Sequence, residues 1–569
     1  MKTIIYKYTL VVILLSIGIS SCNKNQFAKD NTNPDALLTI DPKSVLSGGL
    51  LQMNNQDFEV FYDFNRNIRL WTQQWVAFSG NTLSGFQTAA NTNVRWGNFY
   101  GSVGPRFKDV MHIIDEMPAA KKATYAYMRA MAGIPYAYYA FYTSDPNGSM
   151  PYTQAFEARY TIPPMLTPVY DTQDALFTEL DAELKSIVTT LSTPQPVQQV
   201  MLGTNDLYYP KSTDYSPWIK AANSLRLRIA MRLMKRNPGK LTAIANELLS
   251  DPSKNLISSI ADEMVFYGGP NFAGGNDNPG ATISGEKHTV DFMWKTQDPR
   301  MRNFYQPSPL SSKDLFDAAQ ASGAIPSGAT WDGQLYRGEY ANPTDASNPA
   351  LNYYFSTLTF NYNGAPQSFN IPSAIQQRMI YAPYNGGSGL NAYPAITYAD
   401  VCFMRAELAV RGLSNDPTDP KILYENGVTA SITDYDTWAS QAQVVGYTPL
   451  GSSEISAYLA QPGVAYDPAN AKEQIIVQAY LNFYLQPNEA WALLKRTDYP
   501  SPFGSIMPLA NFPGGNYPIT DMPRRYVITF PSLSDLNYKN ATQAITDMEK
   551  DPGFGLPSDI TGRIWWDQK

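Results

Sequence analysis

Cysteine and histidine are nearly absent from this sequence, and their scarcity excludes several common kinds of site. The 569 residues include only two cysteines, Cys22 and Cys402, and two histidines, His112 and His288. Zinc centres and nucleophile–histidine pairs need several such residues acting together. The chain also lacks the H-E-x-x-H, C-x-x-C, G-x-S-x-G and glycine-rich phosphate-binding signatures of common enzymes. We therefore expect a protein that is not an enzyme.

Charge is also scarce, and what there is does not favour nucleic acid as a partner. Charged residues make up 16% of the chain and the net charge is -7. No run of Lys and Arg follows the first residues, although phosphate binding relies on clustered positive charge. Long apolar runs are missing after residue 19, so the remaining sequence predicts no membrane-spanning helix.

The first residues do contain an apolar segment, and it predicts export with a lipid anchor. Lys2 and Lys7 precede the apolar stretch TLVVILLSIGI, which is too short to span a bilayer and is typical of a signal peptide. The following Ile-Ser-Ser-Cys resembles a bacterial lipobox, which predicts a signal peptide over 1–21 and lipidation of Cys22. Cleavage after Ser20 in an ordinary signal peptide is the alternative. The polar residues 22–42 predict a tether between the lipid and the folded body.

Residues 43–569 predict a mainly α-helical body. In SPWIKAANSLRLRIAMRLMKR (216–236), apolar side chains recur every three or four residues, Ser216 is placed to cap the start, and Lys235 and Arg236 suit the end. Small and aromatic residues alternate in YAYMRAMAGIPYAYYAFY, as in tetratricopeptide-type helix pairs, without a strict 34-residue repeat. Further predicted helices cover 57–78, 106–115, 124–142, 171–191, 398–411, 422–432 and 473–485.

Long irregular segments rich in Gly, Asn, Pro and Tyr separate these helices, and the largest runs from about 267 to 394. Loops of this length are usually functional or disordered, and a high aromatic content argues against disorder. Aromatic rings can stack on sugar rings while nearby amides bind the hydroxyls. Trp218 and Trp491 lie in apolar helical patterns and are assigned to the core. The ligand-binding candidates are the aromatic residues beside or within loops: Trp75, Phe78, Trp96, Phe272, Trp331 and Tyr336.

Catalytic carboxylates, bound calcium and a reactive cysteine receive weaker support from the sequence. Neighbouring acids such as Asp115-Glu116 could belong to a glycosidase, but catalytic carboxylates are paired in space and not in sequence. The oxygen-rich stretches GGNDNPG and SDPNGS could hold a structural calcium ion, although neither follows an EF-hand pattern and turns are the simpler interpretation. Cys402 lies in an apolar stretch and is expected to be a buried small side chain. We predict no cofactor and no catalytic or other metal site.

A series of motifs in a fixed order resembles the SusD/RagB family of outer-membrane lipoproteins. Asp400 and Lys495 stand where relatives usually carry Glu and Arg. The resemblance rests on the following stretches: NTNPDALLTIDP, DPNGSMPYTQAF, PVYDTQDALFTELDAEL, WIKAANSLRLRIAMRL, DPRMRNFY, ITYADVCFMRAELAVRG, EQIIVQAYLNFYLQPNEAWALLKRTDYP, MPRRYVITFPSLSDLNYKN and RIWWDQK.

This resemblance implies a tetratricopeptide-like helical core with long aromatic loops and few short strands. It also implies a non-enzymatic, lipid-anchored protein at the outer-membrane surface, which captures oligosaccharides or peptides for a SusC-like TonB-dependent transporter. Arg226, Arg228 and Glu407 lie in the shared helical motifs and are expected to form buried ion pairs. A surface glycoside hydrolase or esterase, and a helical assembly scaffold without a small ligand, are the alternatives.

Overall fold

A computed structural model describes residues 40–54, 57–77, 91–274, 277–279, 283–342, 345–346, 348, 350–510 and 522–568. The predicted signal peptide, the lipidation site Cys22, the tether up to residue 39 and the candidate Phe78 lie outside these residues. No helix in the described ranges is both long and apolar enough to cross a membrane.

Helices dominate the described part of the chain. The longer α-helices are α1 (Pro42–Gln52), α2 (Gly104–Asp115), α3 (Ala126–Ser144), α4 (Gln173–Ser192), α5 (Ser216–Met231), α6 (Pro238–Leu248), α7 (Lys287–Lys295), α8 (Lys313–Ala321), α9 (Tyr398–Val410), α10 (Pro420–Gln441), α11 (Ala471–Asn482), α12 (Pro487–Thr497) and α13 (Tyr538–Met548). A π-helix covers Glu59–Ile68 and continues into the α-helical turn Arg69–Trp71. Shorter helices include Val94–Asn98, Ala119–Ala123, Met301–Phe304, Glu454–Leu459 and the 3-10 turn Gln377–Met379.

The helix predicted from 216 is confirmed as α5, but its ends differ from the prediction. Ser216 does not cap the helix; its N–H and Oγ–H instead donate to the Asp214 carboxylate at 2.8 and 2.6 Å. The helix ends at Met231, before Lys235. The Lys235 ammonium group instead donates to the backbone oxygen of Lys495 at 2.9 Å, so long-range contacts determine this end.

Successive helices pack side by side and enclose two main hydrophobic cores. The first core joins α1 to α6, where α3 packs on α2 and α4, and α5 packs on α4 and α6. The second core joins α9, α10 and α11 with α7 and α12. Trp218 and Trp491 are buried within this helical body, as expected. The predicted tetratricopeptide-like, mainly α-helical fold is confirmed.

Buried ion pairs connect the helices, and the prediction for Arg226, Arg228 and Glu407 is confirmed. Arg226 on α5 pairs with Asp181 on α4 at 2.7 Å. Arg228 binds Asp400 on α9, and Glu407 on α9 pairs with Arg496 on α12 at 2.5 Å. Because a buried charge is costly unless it is paired, these contacts specify how the helices are arranged.

Six short strands form three antiparallel pairs. The strands are β1 (Trp75–Ala77), β2 (Met264–Gly268), β3 (Ile283–Gly285), β4 (Thr357–Tyr362), β5 (Ala365–Asn370) and β6 (Asn391–Ile396), within the described ranges. β1 pairs with β3, β2 with β6, and β4 with β5 as a hairpin. The hairpin packs on α8 around a small core of its own. Most of these strands belong to the loop-rich region predicted over 267–394.

Candidate functional site

A surface groove in the loop-rich region has the composition of a ligand-binding site. The space between its walls, including the part open to solvent, is about 800 Å³. We call it the amide groove, and its lining residues are Gln306, Pro307, Pro309, Asn370, Pro372, Ala374, Gln376, Gln377, Arg378, Tyr384, Asn385 and Val445. They come from the segment after Met301–Phe304, from the end of β5 and the turns that follow it, and from the loop after α10.

Backbone pairing and one arginine hold the groove in shape. The Gln306 N–H donates to the backbone oxygen of Ala374 at 2.7 Å, which fixes the two walls against each other. The guanidinium group of Arg378 donates to the backbone oxygens of Tyr384, Asn385 and Gln443 at 3.1, 3.2 and 2.8 Å. Arg378 therefore ties the turn at 384–386 to the loop after α10.

Apart from the Arg378 guanidinium, which is bound to backbone oxygens, the groove offers neutral donors and acceptors beside one aromatic ring. The Gln306 Nε2–H donates to Gln377 Oε1 at 2.6 Å, while no hydrogen bond within the described ranges uses the Gln377 amide N–H groups. The half-buried ring of Tyr384 packs against no other described ring, and its hydroxyl makes no hydrogen bond there. No carboxylate occurs among the described lining residues. Such a surface can bind hydroxyl and amide groups but supplies no acid–base pair.

A second depression lies deeper, between the first helical core and β6. The space between its walls, including the part open to solvent, is about 630 Å³. We call it the central cleft; its lining residues are Met53, Asn54, Val60, Phe64, Arg69, Tyr138, Tyr208, Asp277, Met379, Ile380, Asn391, Ala392, Tyr393, Pro394, Ala395 and Leu485. The turn Gln377–Met379 separates the two sites, since Gln377 lines the amide groove and Met379 lines the cleft.

One carboxyl group lies in the cleft, and its environment shifts its titration. Asp277 accepts the N–H groups of Gly274, at 2.8 Å, and of Asp57. Burial nevertheless raises the pKa of Asp277 to about 6. At neutral pH this side chain is therefore mostly ionised, and its oxygens are held by backbone donors.

Two of the predicted ligand-binding aromatics lie next to the central cleft. Trp75 is fully buried on β1, and the Arg69 guanidinium lies over its ring at 4.2 Å. Phe272 is half-buried and packs edge-to-face on Tyr393, a lining residue, at 5.1 Å. Trp75 therefore supports the cleft from behind, and Phe272 borders it.

The other described candidates lie apart from the cleft and from one another. Trp96 packs on Tyr100 at 5.1 Å in the first core. Trp331 is half-buried beside α8 and its Nε1–H donates to the backbone oxygen of Leu310 at 3.0 Å. Tyr336 is buried, and its ring packs edge-to-face on the Trp294 ring with 6.2 Å between the ring centres. The candidates thus do not converge on one concave surface, and a ligand role for each stays a prediction.

The residues that make the amide groove were missed because amides carry no spacing signal. Gln306 and Gln377 are 71 positions apart. The Asn-Gly pair after Tyr384 marks a turn, and Asn385 has the left-handed φ of 48° that such a turn uses. That turn was the only local sequence signal for the site.

Metal-type clusters are not found in the described ranges: no three side chains of His, Cys, Asp or Glu come together there as ligands. His288 Nδ1 lies 2.7 Å from the Glu286 carboxylate, which helps to raise the pKa of the imidazole. In the predicted turn SDPNGS, the Asp145 carboxylate binds Arg232 at 3.0 Å. A structural calcium ion stays the alternative to the turn interpretation of this stretch.

Comparison with known proteins gives a consistent result across the chain. The profile of the SusD-like family, described as starch-binding and associating with the outer membrane, matches residues 34–526. A solved chitin-binding protein is similar with 22% identity and a TM-score of 0.66, covering 93% of this chain and 100% of its own. A chitin-binding SusD homologue from Flavobacterium johnsoniae has 18% identity and a TM-score of 0.63, with 92% and 98% covered. No match was found among curated protein sequences. At these identities the solved structures establish the fold.

Proposed function

Because the chain belongs to the SusD-like family, we propose that it is a non-enzymatic binding protein that captures oligosaccharides at the outer-membrane surface. In this proposal, lipidation of Cys22 anchors the protein, and captured sugar passes to a SusC-like TonB-dependent transporter. The observation that carries the binding part is the amide groove, which presents neutral hydrogen-bonding groups and the Tyr384 ring on one concave surface. The chitin-binding and starch-binding descriptions of similar proteins support a neutral polysaccharide fragment as the ligand.

Capture would use the two features of the groove together. The Tyr384 ring offers an apolar face on which a pyranose ring can stack, and such aromatic contacts contribute about 0.5–1.5 kcal/mol. The amides of Gln377 and Asn385 can donate to and accept from sugar hydroxyls. A binding site without acid–base residues holds the glycan without cleaving it.

The test measures binding and cleavage at the same time. Full-length protein in detergent is titrated with oligosaccharides of starch and chitin, with plant and host glycans and with peptides, while released reducing ends are assayed. We expect binding of a glycan without release, weakened about twofold to twelvefold by Tyr384→Ala. Tyr381→Ala is the matched control, because Tyr381 is equally half-buried, lies three positions away and does not line the groove.

Three results would contradict the proposal. Equal binding by the Tyr384→Ala and Tyr381→Ala variants would exclude the amide groove as the site. Release of reducing ends would favour the glycoside hydrolase. Binding of peptides alone would remove oligosaccharides as the ligand class.

An exposed apolar patch supports the transporter part of the proposal. Ile162 and Leu533 are 101% and 84% exposed. Their loops are joined where the side-chain amide of Asn537 donates to the backbone oxygen of Pro168 at 2.9 Å. Leu166, Val169 and Leu536 on the same loops are also exposed. Apolar surface of this kind marks interaction sites, and a hydrophobic transporter rim is the occupant that we propose.

The patch is tested by co-purification of the tagged protein with its transporter from outer membranes. We expect Leu533→Asp to abolish co-purification and to leave glycan binding unchanged. Leu351→Asp is the control, since Leu351 is 45% exposed but belongs to a different part of the surface. Retention of the transporter by the Leu533→Asp variant would contradict docking at this patch.

A further inference from the structure

Buried arginines in this protein follow a rule that two of them break. Eleven arginines are buried in the described ranges, and nine of them contact an Asp or Glu carboxylate within 4.0 Å. The two without a carboxylate among the described residues are Arg69 and Arg525. Because an unpaired buried charge is strongly unfavourable, both exceptions need a physical explanation.

Four of the paired arginines receive the carboxylate on the edge formed by Nε and Nη2: Arg232, Arg300, Arg405 and Arg524. Arg405 donates from Nε and Nη2 to the two oxygens of Asp416, at 2.6 and 2.9 Å. Arg300 binds Asp298 through the same two nitrogens, at 3.0 and 2.6 Å. This bidentate arrangement is the strongest that a guanidinium group makes with a carboxylate.

At Arg69 the same edge has no partner. The Nη1 group donates to the backbone oxygen of Tyr484, and the guanidinium face lies 4.2 Å from the Trp75 ring centre. The Nε–H is buried without a hydrogen bond, and no described residue accepts from Nη2. Burial lowers the pKa of Arg69 to about 10, so the group still carries its charge at neutral pH.

The other exception differs in its surroundings. Arg525 places its guanidinium group 4.1 Å from the Phe554 ring centre, and its Nη2 group donates to the backbone oxygens of Phe554 and Leu556. It does not line the central cleft. Arg69 does line that cleft, and it directly follows the π-helix Glu59–Ile68, a rare element that is frequent at functional sites. Only Arg69 therefore combines an unused bidentate edge with the cleft.

We propose that Arg69 binds the carboxylate of an acidic sugar, such as a hexuronic acid, in the central cleft. The carboxylate would accept from Nε and Nη2 as Asp416 and Asp298 do from their arginines. The other polar side chains of the cleft already pair within the chain: the Tyr208 hydroxyl donates to Asn54 Oδ1 at 2.8 Å, and the Asn391 amide donates to the backbone oxygen of Arg378 at 2.8 Å. The contact between the ligand carboxylate and Arg69 therefore carries the proposal. The proposal goes beyond neutral glycan capture in the amide groove and uses none of its residues.

Asp277 restricts the orientation of such a ligand. It is the one carboxylate among the described lining residues of the cleft, and a second negative charge beside it is unfavourable. The sugar carboxylate therefore points toward Arg69 and the neutral hydroxyls face Asp277. A ligand with two carboxylates would bind less well than one with a single carboxylate.

The experiment compares D-glucuronate with D-glucose, which differ only at C6. Full-length protein in detergent is titrated calorimetrically with each sugar, with acetate and with glycylglycine. We expect glucuronate to bind at least about tenfold more tightly than glucose, and Arg69→Met to remove this difference. Arg525→Met is the matched control and retains the preference, because Arg525 lies outside the cleft. Equal affinity for the two sugars, or an unchanged preference in Arg69→Met, would refute the proposal.

The titrations with acetate and glycylglycine identify the source of the carboxylate. A crystal structure covers the case in which the variant does not fold. Acetate or glycylglycine binding as tightly as glucuronate would overturn the acidic sugar as ligand. If Arg69→Met does not fold, a crystal structure of the wild-type protein with glucuronate decides. A carboxylate within hydrogen-bond distance of Nε and Nη2 supports the proposal, and a carboxylate bound elsewhere overturns it. The preference for glucuronate over glucose depends on Arg69 and on no residue of the amide groove, so a failure here is distinct from a failure of the amide groove.

Discussion

Replacing Asp400 by asparagine tests whether buried charge pairing between helices stabilises this fold. Asp400 is 1% exposed and binds the Arg228 guanidinium. Its carboxylate also accepts the backbone N–H of Thr397 at 2.8 Å and the side-chain amide of Asn482 at 2.6 Å. Asp400→Asn removes the nearer of two carboxylates beside the buried Arg228 guanidinium and leaves only Glu489, at 4.0 Å. Breaking a buried pair costs at most about 3–5 kcal/mol. Urea unfolding followed by tryptophan fluorescence measures the loss in free energy of unfolding.

An exposed pair provides the matched control. Asp317 contacts Lys313 at 2.7 Å on α8, but both side chains are more than half exposed. Asp317→Asn should therefore lower the free energy of unfolding by less than about 1 kcal/mol. The double variant Arg228→Met/Asp400→Asn should lose less than the sum of the two single variants, because it has no isolated charge. Equal losses for Asp400→Asn and Asp317→Asn, or additive losses in the double variant, would refute the reasoning.

Three further predictions concern other buried positions. Burial and the negative charge of Asp400 raise the pKa of Asp434, although a hydrogen bond with Glu263 acts to lower it. Its stabilising effect is present at acid pH and lost as the pH rises through the folded-state pKa, so Asp434→Asn should reduce the fall in Tm between pH 5 and pH 9. Burial lowers the pKa of Lys495 from 10.5 to about 8, so stability is lost as the pH falls through that value, and Lys495→Met should flatten the Tm between pH 7 and pH 10. A Cβ at Gly427 would lie 2.8 Å from the Phe403 ring, so Gly427→Ala should lower the free energy of unfolding by about 1–3 kcal/mol.

Each of these three predictions has a result that would contradict it. An unchanged pH profile of Tm in Asp434→Asn or in Lys495→Met would show that the group titrates as in the unfolded chain. Gly97→Ala is the control for Gly427→Ala, because no atom from outside its own helical turn lies within 4 Å of its added Cβ among the described residues, and it is also helical. A loss in Gly97→Ala as large as that in Gly427→Ala would contradict a packing origin.

The helices and their ion pairs could be predicted because both leave local marks in the sequence. Apolar residues at helical spacing located α5, and the shared helical motifs located Arg228 and Glu407. The two sites could not be predicted, since the amide groove joins Gln306 to Gln377 and the cleft joins Arg69 to Asn391. Chain folding brings these residues together over distances that no local pattern records.

Trp75 shows how a loop-edge aromatic can mislead. It precedes the loop after residue 77, which suggested exposure. In the structure β1 pairs Trp75 with Gly285 on β3 and buries the ring beneath Arg69. Trp75 therefore holds the charged Arg69 side chain in place. This role becomes visible only from the pairing of β1 with β3, which are distant in the sequence.

The contacts of Trp566 and Asp567 have a consequence for biosynthesis. The Trp566 indole N–H donates to the backbone oxygen of Asp145 at 3.0 Å, and the Asp567 carboxylate binds Arg524 at 2.5 Å and Lys235 at 3.4 Å. During translation, α3 and α5 emerge hundreds of residues before Trp566. The nascent first half therefore lacks part of its core until Trp566 and Asp567 have been synthesised. Its apolar surface remains open to chaperones for most of that time.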